Sequence, residues 1–373
     1  MFQYSRLCRT FNYENFWKYR CSRRGTVNLI EFLQDLAIQG WELWSEGEKL
    51  RYRTSKGELT SSVLTQLKQH KSEILELLRD RPDIFNVDSV NVEQLTASPH
   101  QNRRVVSPSP LVPIQSRGSK VPIFCVHPYT GLVICYHELA RLLGSDRPFY
   151  GLKSLGIEEG EEPLTRVEDM ATLYLRAVRE VQPHGPYILM GWSFGGIVAL
   201  QMAHELKTQG EQVPFLGLLD TYTPSHLPEQ SILSQKVVIE GETLSISLEE
   251  LRRMPIKQQA VLICEQFKQA DLIPSEVERL LRVQSLNCEA MRNYSPPLYS
   301  GRSVLFRAEK GVLSFSQNVS ALEPTLGWEE AIANIELHVI PGYHEYMVDQ
   351  PNVSILAQKL KDCIEQALSS NEQ

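Results

Sequence analysis

The chain has 373 residues, 42% hydrophobic and 22% charged, ordinary globular proportions that permit a large buried core. Its formal net charge of −7 excludes the basic field expected of a nucleic-acid protein. No apolar run approaches the roughly 18 residues of a membrane span, and the 7 cysteines form no CxxC pair, so a reduced, cytoplasmic protein is expected.

Residues 1–26 carry Arg6, Arg9, Lys18, Arg20, Arg23 and Arg24 among aromatics but lack an apolar signal core. They read as a disordered basic arm. Residues 27–81 form a small unit. Asn28 caps a helical pattern of Leu29, Phe32, Leu33 and Leu36 that stops at Gly40. The stretch WELWSEGEKLRYR (41–53) reads as a hairpin turning at Glu46-Gly47-Glu48. In its second half Leu50 and Tyr52 alternate with Lys49, Arg51 and Arg53, which predicts one apolar face and one basic face. Val63, Leu64, Leu67, Ile74, Leu75, Leu77 and Leu78 then return to helical spacing until Pro82. A core this small favours homodimerisation. Residues 82–119, with Pro99, Pro108, Pro110 and Pro113, read as a linker.

From residue 120 onward, strands and helices alternate. VPIFCVHP, FYGL, PYILMGW, VPFLGLLD, RSVLFRAE and IELHVIPG read as strands. YHELARLL, VEDMATLYLRAVREV, GGIVALQMAHELK and VSILAQKLKDCIEQAL read as helices. This alternation predicts an α/β domain over 120–367, its mostly parallel sheet covered on both faces. Residues 224–298 interrupt it with helical segments, a candidate lid. Val261, Leu262, Phe267, Leu272 and Leu281 there either bound an acyl chamber or pack the lid itself.

GWSFG, between an apolar strand and a helix, fits the G-x-S-x-G nucleophile elbow and points to Ser193. A serine nucleophile needs a base and an orienting acid, in the chain order Ser, acid, His for this elbow. His344, in the Pro-Gly loop after the last strand, fits the base. His338, inside that strand, fits a sheet-edge or surface role better, and His127, opening the first loop, a structural one. The acid is either Asp220, ending VPFLGLLD, or Glu309, ending SVLFRAE; strand order alone does not choose. One oxyanion donor is expected at the backbone N–H of Phe194, the residue after the serine. There is no HExxH, Walker loop or GxGxxG after a strand, and neither a metal nor a cofactor is expected.

Two resemblances follow. Over 27–81, GWELWSEGEKLRYR and KGELTSSVLTQLKQHKSEILELL resemble the N-terminal docking domains of the TubC type, found on nonribosomal peptide and hybrid polyketide assembly lines. Over 120–367, PYILMGWSFGGIVALQMAHEL, LLDTYTP, MRNYSPPLYSGRSVLFRAE and PGYHEYMVDQPNV resemble type I thioesterase domains, which have the α/β-hydrolase fold and terminate those assembly lines. The resemblance implies a triad of Ser193, Asp220 and His344, with Glu309 the minority option. It also implies a second oxyanion donor at the N–H of Tyr129, where the family more often has a small residue. Its further implication is a substrate tethered to the phosphopantetheine of a carrier protein on an upstream synthase subunit. The C-terminal tail of that subunit would pair with the hairpin, with Lys49, Arg51 and Arg53 favouring an acidic partner; those charges equally protect a strand edge. An editing thioesterase, a docking adaptor with an idle triad and a small-ester hydrolase are the competing readings.

Overall fold

A computed structural model describes residues 41–46, 49–54, 67, 71, 74–75, 109–226, 238–239, 242–243, 250–251, 253–267, 272–312 and 324–369. The basic arm over 1–26, the first helix of the small unit and most of the linker lie outside the described residues. The described residues fall into two units, one before and one after the junction of Val106 and Ser107.

In the small unit, β1 (Trp41–Glu46) and β2 (Lys49–Thr54) pair antiparallel across a two-residue connection. Leu43 is buried, as are Leu67, Ile74 and Leu75 of the later helical pattern. The register adds what the first strand contributes to each hairpin face. Trp44 stands opposite Arg51, Glu42 opposite Arg53 and Glu46 opposite Lys49. Facing partners share a side of a sheet. The charged face therefore holds two acidic positions and an exposed Trp44, and is not uniformly basic. Tyr52, assigned by alternation to the apolar face, is 43% exposed.

The large unit is built on a seven-stranded sheet. Its strands are β3 (Leu111–Gln115), β4 (Ile123–Val126), β5 (Phe149–Leu152), β6 (Ile188–Trp192), β7 (Phe215–Leu219), β10 (Tyr299–Ala308) and β11 (Ile332–Ile340). They lie in the order β11-β10-β7-β6-β4-β5-β3, all neighbours parallel except β3 and β5. Every residue of β4, β6 and β7 is buried. That is why these strands read as unbroken apolar runs: in a parallel sheet covered on both sides neither face meets water. Along β6 the alternation survives as a choice of core. Leu189 joins one apolar cluster, while Ile188, Met190 and Trp192 join the other.

The first cluster takes in α2 (Val167–Val181) and α3 (Phe194–Thr208). The second takes in α1 (His137–Leu143) and α6 (Asn352–Ser369). Helices α1, α2, α3 and α6 fall on the segments the periodicity predicts. Strand β3 does not: it occupies the end of the stretch expected to be linker. Pro113 reads as a linker proline, yet proline withdraws only a ladder donor and so is tolerated on an edge strand, which is where β3 lies.

The inserted segment contributes α4 (Ile256–Gln266) and α5 (Pro274–Asn293), with a short pair β8 (Val238–Ile239) and β9 (Glu242–Thr243) that helical spacing did not suggest. Of its expected chamber residues, Phe267 is buried, Val261 is exposed, and Leu262, Leu272 and Leu281 are half-buried. At its base, Tyr294 Oη donates to Gln201 Oε1 at 2.8 Å, fastening the end of α5 to α3.

Candidate active site

Ser193 sits between β6 and α3 with φ 56° and ψ −122°, a backbone conformation that is strained for any residue but glycine. The neighbouring glycines make it possible. A Cβ on Gly191 would lie 2.1 Å from the Gly195 carbonyl carbon, and one on Gly195 would lie 2.3 Å from the Val126 oxygen. No side chain fits either gap, so the strand, the turn and the helix close only around glycine. The Ser193 N–H donates to Leu219 O at 2.9 Å, tying the turn to the end of β7.

Asp220 follows β7 directly, with φ 43° and no solvent exposure. Its carboxylate is divided between two donors. Oδ1 accepts the Ala308 N–H at 2.8 Å, and Oδ2 lies 2.8 Å from His344 Nδ1. The Asp220 N–H donates in turn to Phe306 O at 2.7 Å, so the acid hangs from the end of β10 at two points. A carboxylate only accepts, so His344 Nδ1 carries the proton and Nε2 presents its lone pair.

His344 opens a short 3-10 turn, His344–Tyr346, and its N–H donates to Gly311 O at 2.7 Å. The Trp192 ring lies 5.5 Å from the imidazole and the Tyr222 ring 6.4 Å from it, edge-on. Burial pulls the imidazole pKa down. The Asp220 hydrogen bond and charge, with Glu345 behind them, outweigh burial and leave it raised above its ordinary value.

Of the two carboxylates left open by strand order, Asp220 is the one that meets His344. Glu309 is exposed at the end of β10, where its N–H donates to Ile340 O at 2.8 Å. Ser193 stands next in sequence to Trp192, whose ring covers His344; among the described residues no hydrogen bond joins Ser193 to His344.

Phe194 is the first residue of α3, and a helix leaves its first four N–H groups without intrahelical partners. The opening of a 15-residue helix also carries partial positive charge suited to an anion. Tyr129 lies on the loop after β4 and is shaped from both sides. Gly131 N–H donates to Pro128 O at 2.9 Å within the loop, and Asn287 Nδ2 of α5 donates to the Tyr129 carbonyl at 3.0 Å. His127 is wholly buried under this loop, with Nδ1 2.7 Å from Pro128 O and Nε2 2.7 Å from Tyr174 Oη. A carbonyl cannot donate, so Nδ1–H points to Pro128 and Tyr174 donates to Nε2. Burial lowers the His127 pKa to about 4, which keeps the ring neutral and in this structural role.

The aromatic pair around His344 and the Asn287 bridge from the lid were not anticipated. The middle residue of G-x-S gives Trp192 a fixed place beside the elbow, a usable signal. Nothing in the sequence pairs Asn287 with a loop 158 residues away.

Residues 121–363 match the family described as Thioesterase domain, and residues 29–80 match that described as TubC N-terminal docking domain. The dimodular nonribosomal peptide synthase of Bacillus subtilis (strain 168) is 48% identical over 118 residues, 32% of this chain and 5% of that protein. Nonribosomal peptide synthetase btyA of Aspergillus terreus (strain NIH 2624 / FGSC A1156) is 30% identical over 263 residues, 66% of this chain and 28% of the synthetase. Inactive atromentin synthetase invA4 of Paxillus involutus is 33% identical over 175 residues, 47% of this chain and 18% of that protein. The chain therefore matches less than a third of the length of each of these relatives.

Among solved structures, holo-AB3403, a four domain nonribosomal peptide synthetase bound to AMP and glycine, is similar with a TM-score of 0.59 at 25% identity, over 68% of this chain and 20% of that one. The Vlm2 thioesterase domain bound with a dodecadepsipeptide shares the fold, with a TM-score of 0.52 at 23% identity over 68% of this chain and 96% of its own.

Proposed function

The chain belongs to the thioesterase domain family, and on that footing we propose that it is a chain-terminating serine thioesterase of a nonribosomal peptide or polyketide assembly line. The observation that carries this reading is the Asp220–His344 pair at 2.8 Å, with the ring of Trp192, the residue before Ser193, 5.5 Å from the imidazole and Ser193 itself held at φ 56°.

In the proposed reaction Ser193 Oγ attacks the carbonyl carbon of an acyl chain held as a thioester on carrier-protein phosphopantetheine. His344 Nε2 takes the hydroxyl proton, while Asp220 Oδ2 holds the imidazolium that forms. The N–H groups of Phe194 and Tyr129 receive the developing oxyanion. The carbon–sulfur bond breaks, and the thiol leaves with the proton from His344. Water, or a nucleophile within the acyl chain, then attacks the acyl-enzyme with His344 again as base. The product is a free acid or a ring. No cofactor takes part, since acyl transfer by such a triad is self-sufficient.

The test is intact-protein mass spectrometry after mixing with a panel of acyl thioesters, wild type against Ser193→Ala. The expected result is an acyl adduct on the wild type alone. A folded protein with neither adduct nor turnover would move a docking adaptor with an idle triad to the front.

The pH profile supplies an independent check. The acidic limb of kcat/KM reports the base of the free enzyme. With its pKa raised, His344 must lose its proton at higher pH than an ordinary histidine, at about 6.5. The midpoint of that limb is therefore expected above this value, and a midpoint below it would contradict the Asp220–His344 coupling.

The docking unit is proposed to bring in the carrier-bearing subunit, whose C-terminal tail adds to the hairpin, and to support a homodimer. Trp44 and Arg51, paired across the strands, are the pair that offers an apolar contact beside a positive charge. Arg51→Glu is expected to weaken capture of that subunit about tenfold, with affinity also falling as salt rises; unchanged affinity would remove Arg51 from the interface. Cytoplasmic action is proposed as well, and the five described cysteines, none of them in a disulfide, fit a reducing compartment. Among the described residues, no helix is long and apolar enough to cross a membrane.

A further inference from the structure

We propose that Glu336, His338 and Cys363 form a binding site for one zinc-class divalent cation, fastening α6 to the edge strand β11. Glu336 and His338 are two residues apart on β11, so their side chains leave the strand on the same side. Cys363 reaches them from α6. His338 Nε2 lies 2.8 Å from Glu336 Oε1 and 3.3 Å from Cys363 Sγ, and the three candidate ligand atoms all lie within 4.8 Å of one another. No familiar spacing in the sequence marks this set; the topology alone assembles it.

The geometry suits a tetrahedral ion. Zinc bonds of about 2.0–2.3 Å to nitrogen, oxygen and sulfur put neighbouring ligands about 3.3–3.6 Å apart. The His338–Cys363 spacing of 3.3 Å falls short of the nitrogen–sulfur value by only about 0.2 Å. The Glu336 oxygen needs to retreat by about half an ångström, a small adjustment for a side chain that is 39% exposed. Without an ion, the single nitrogen Nε2 faces two partners and fully satisfies one. A cation accepts all three groups at once.

The surroundings hold the ligands as the outer shell of a metal site does. The Phe306 ring stacks on the His338 imidazole at 5.5 Å and 18°, fixing its plane. Arg302 Nη2 binds Glu336 Oε2 at 2.9 Å and Gln366 Oε1 at 3.0 Å, which leaves Oε1 directed at His338. The donor set of one sulfur, one nitrogen and one oxygen selects zinc or a similar borderline ion over magnesium or calcium. Cys363 is buried while Glu336 and His338 are half-buried, so an ion has a path in and a water completes the shell. Binding exchanges the Cys363 thiol proton for the metal, with no change of oxidation state.

The position links the site to His344. Strand β11 ends at Ile340 and α6 begins at Asn352, and His344 lies on the connection between them. An ion joining His338 to Cys363 closes a ring of chain around that connection and restrains both of its ends. The inference stands on these residues alone and is independent of the thioesterase reading.

The test uses the full chain, stripped with a chelator and titrated with cobalt(II) as a spectroscopic stand-in. A thiolate-to-cobalt charge-transfer band in the near ultraviolet, removed by zinc, is expected in the wild type and absent in Cys363→Ser. Zinc is expected to raise the melting temperature of the wild type by several degrees and that of His338→Gln by markedly less at the same zinc concentration, since the variant lacks one of the three ligands. Should Cys363→Ser fail to fold, His338→Gln and Glu336→Gln carry the comparison. A band that persists in Cys363→Ser, or zinc binding unchanged in His338→Gln, places the metal elsewhere and overturns the proposal; absence of any band overturns it too.

Discussion

Replacing Asp220 by Asn is expected to lower kcat/KM for an acyl thioester by about 10⁴-fold, while Glu309→Gln changes it by no more than about twofold, as for other exposed substitutions. The size of the first effect follows from the two bonds the carboxylate makes. Ala308 N–H needs an acceptor at Oδ1, so an asparagine must place its oxygen there and its amide NH₂ against His344. An NH₂ donates, and Nδ1 would then have to accept. The imidazole proton moves to Nε2, and the nitrogen facing the serine can no longer take its hydrogen.

Burial alone would also pull the imidazole pKa down once the anion is gone. The acidic limb of the pH profile should move to lower pH as the rate collapses. Steady-state kinetics with a soluble thioester across pH 5–9 reads both effects. Should Glu309→Gln produce the loss and Asp220→Asn spare the enzyme, the acid has been misassigned.

What could be read from the sequence is what local chemistry dictates. MGWSFGG specifies a strand, a tight turn and a helix because Gly191 and Gly195 stand where no side chain fits, and such a constraint is written into consecutive letters. His344 is legible for a related reason: a Pro-Gly loop after the last strand is where such a base belongs. The choice between Asp220 and Glu309 is of another kind. Both end strands, β7 and β10, and these strands are neighbours. Which carboxylate meets the histidine depends on how far each strand runs before it stops. Leu219 pairs with Phe306, which sets Asp220 level with the end of β10 and lets Ala308 hold it. Spacing along the chain carries no such register.

The same limit explains the hairpin. Alternation separates Lys49, Arg51 and Arg53 from Leu50, but only the pairing with β1 shows that Glu42 and Glu46 share their side. In the lid, the contact between Asn287 and the Tyr129 carbonyl joins segments that no periodicity relates.

Trp328 shows how far from the triad the site's support extends, and its replacement should have the largest effect on stability. The side chain is fully buried, and its indole N–H donates to Thr221 O at 2.7 Å. Thr221 lies between Asp220 and Tyr222, and its own Oγ1 leaves no room for a Cβ on Gly196. One indole therefore anchors the segment that supplies both Asp220, the proposed acid, and Tyr222, an aromatic wall of the proposed base His344. Trp328→Ala removes the packing of the largest residue type, at about 3–5 kcal/mol, and strands a buried carbonyl at about 1–3 kcal/mol more. For a domain whose whole stability is about 5–15 kcal/mol, the melting temperature should fall by about 10 °C or more. Trp328→Phe keeps most of the volume and loses the hydrogen bond, so a fall of only a few degrees is expected, with a loss of turnover out of proportion to it as Asp220 gains freedom. Calorimetry and thioester kinetics on the two variants separate these contributions. If Trp328→Phe melts lower but turns over like wild type, the indole acts through packing alone, and the position of Asp220 is fixed by Ala308 and Phe306 without it.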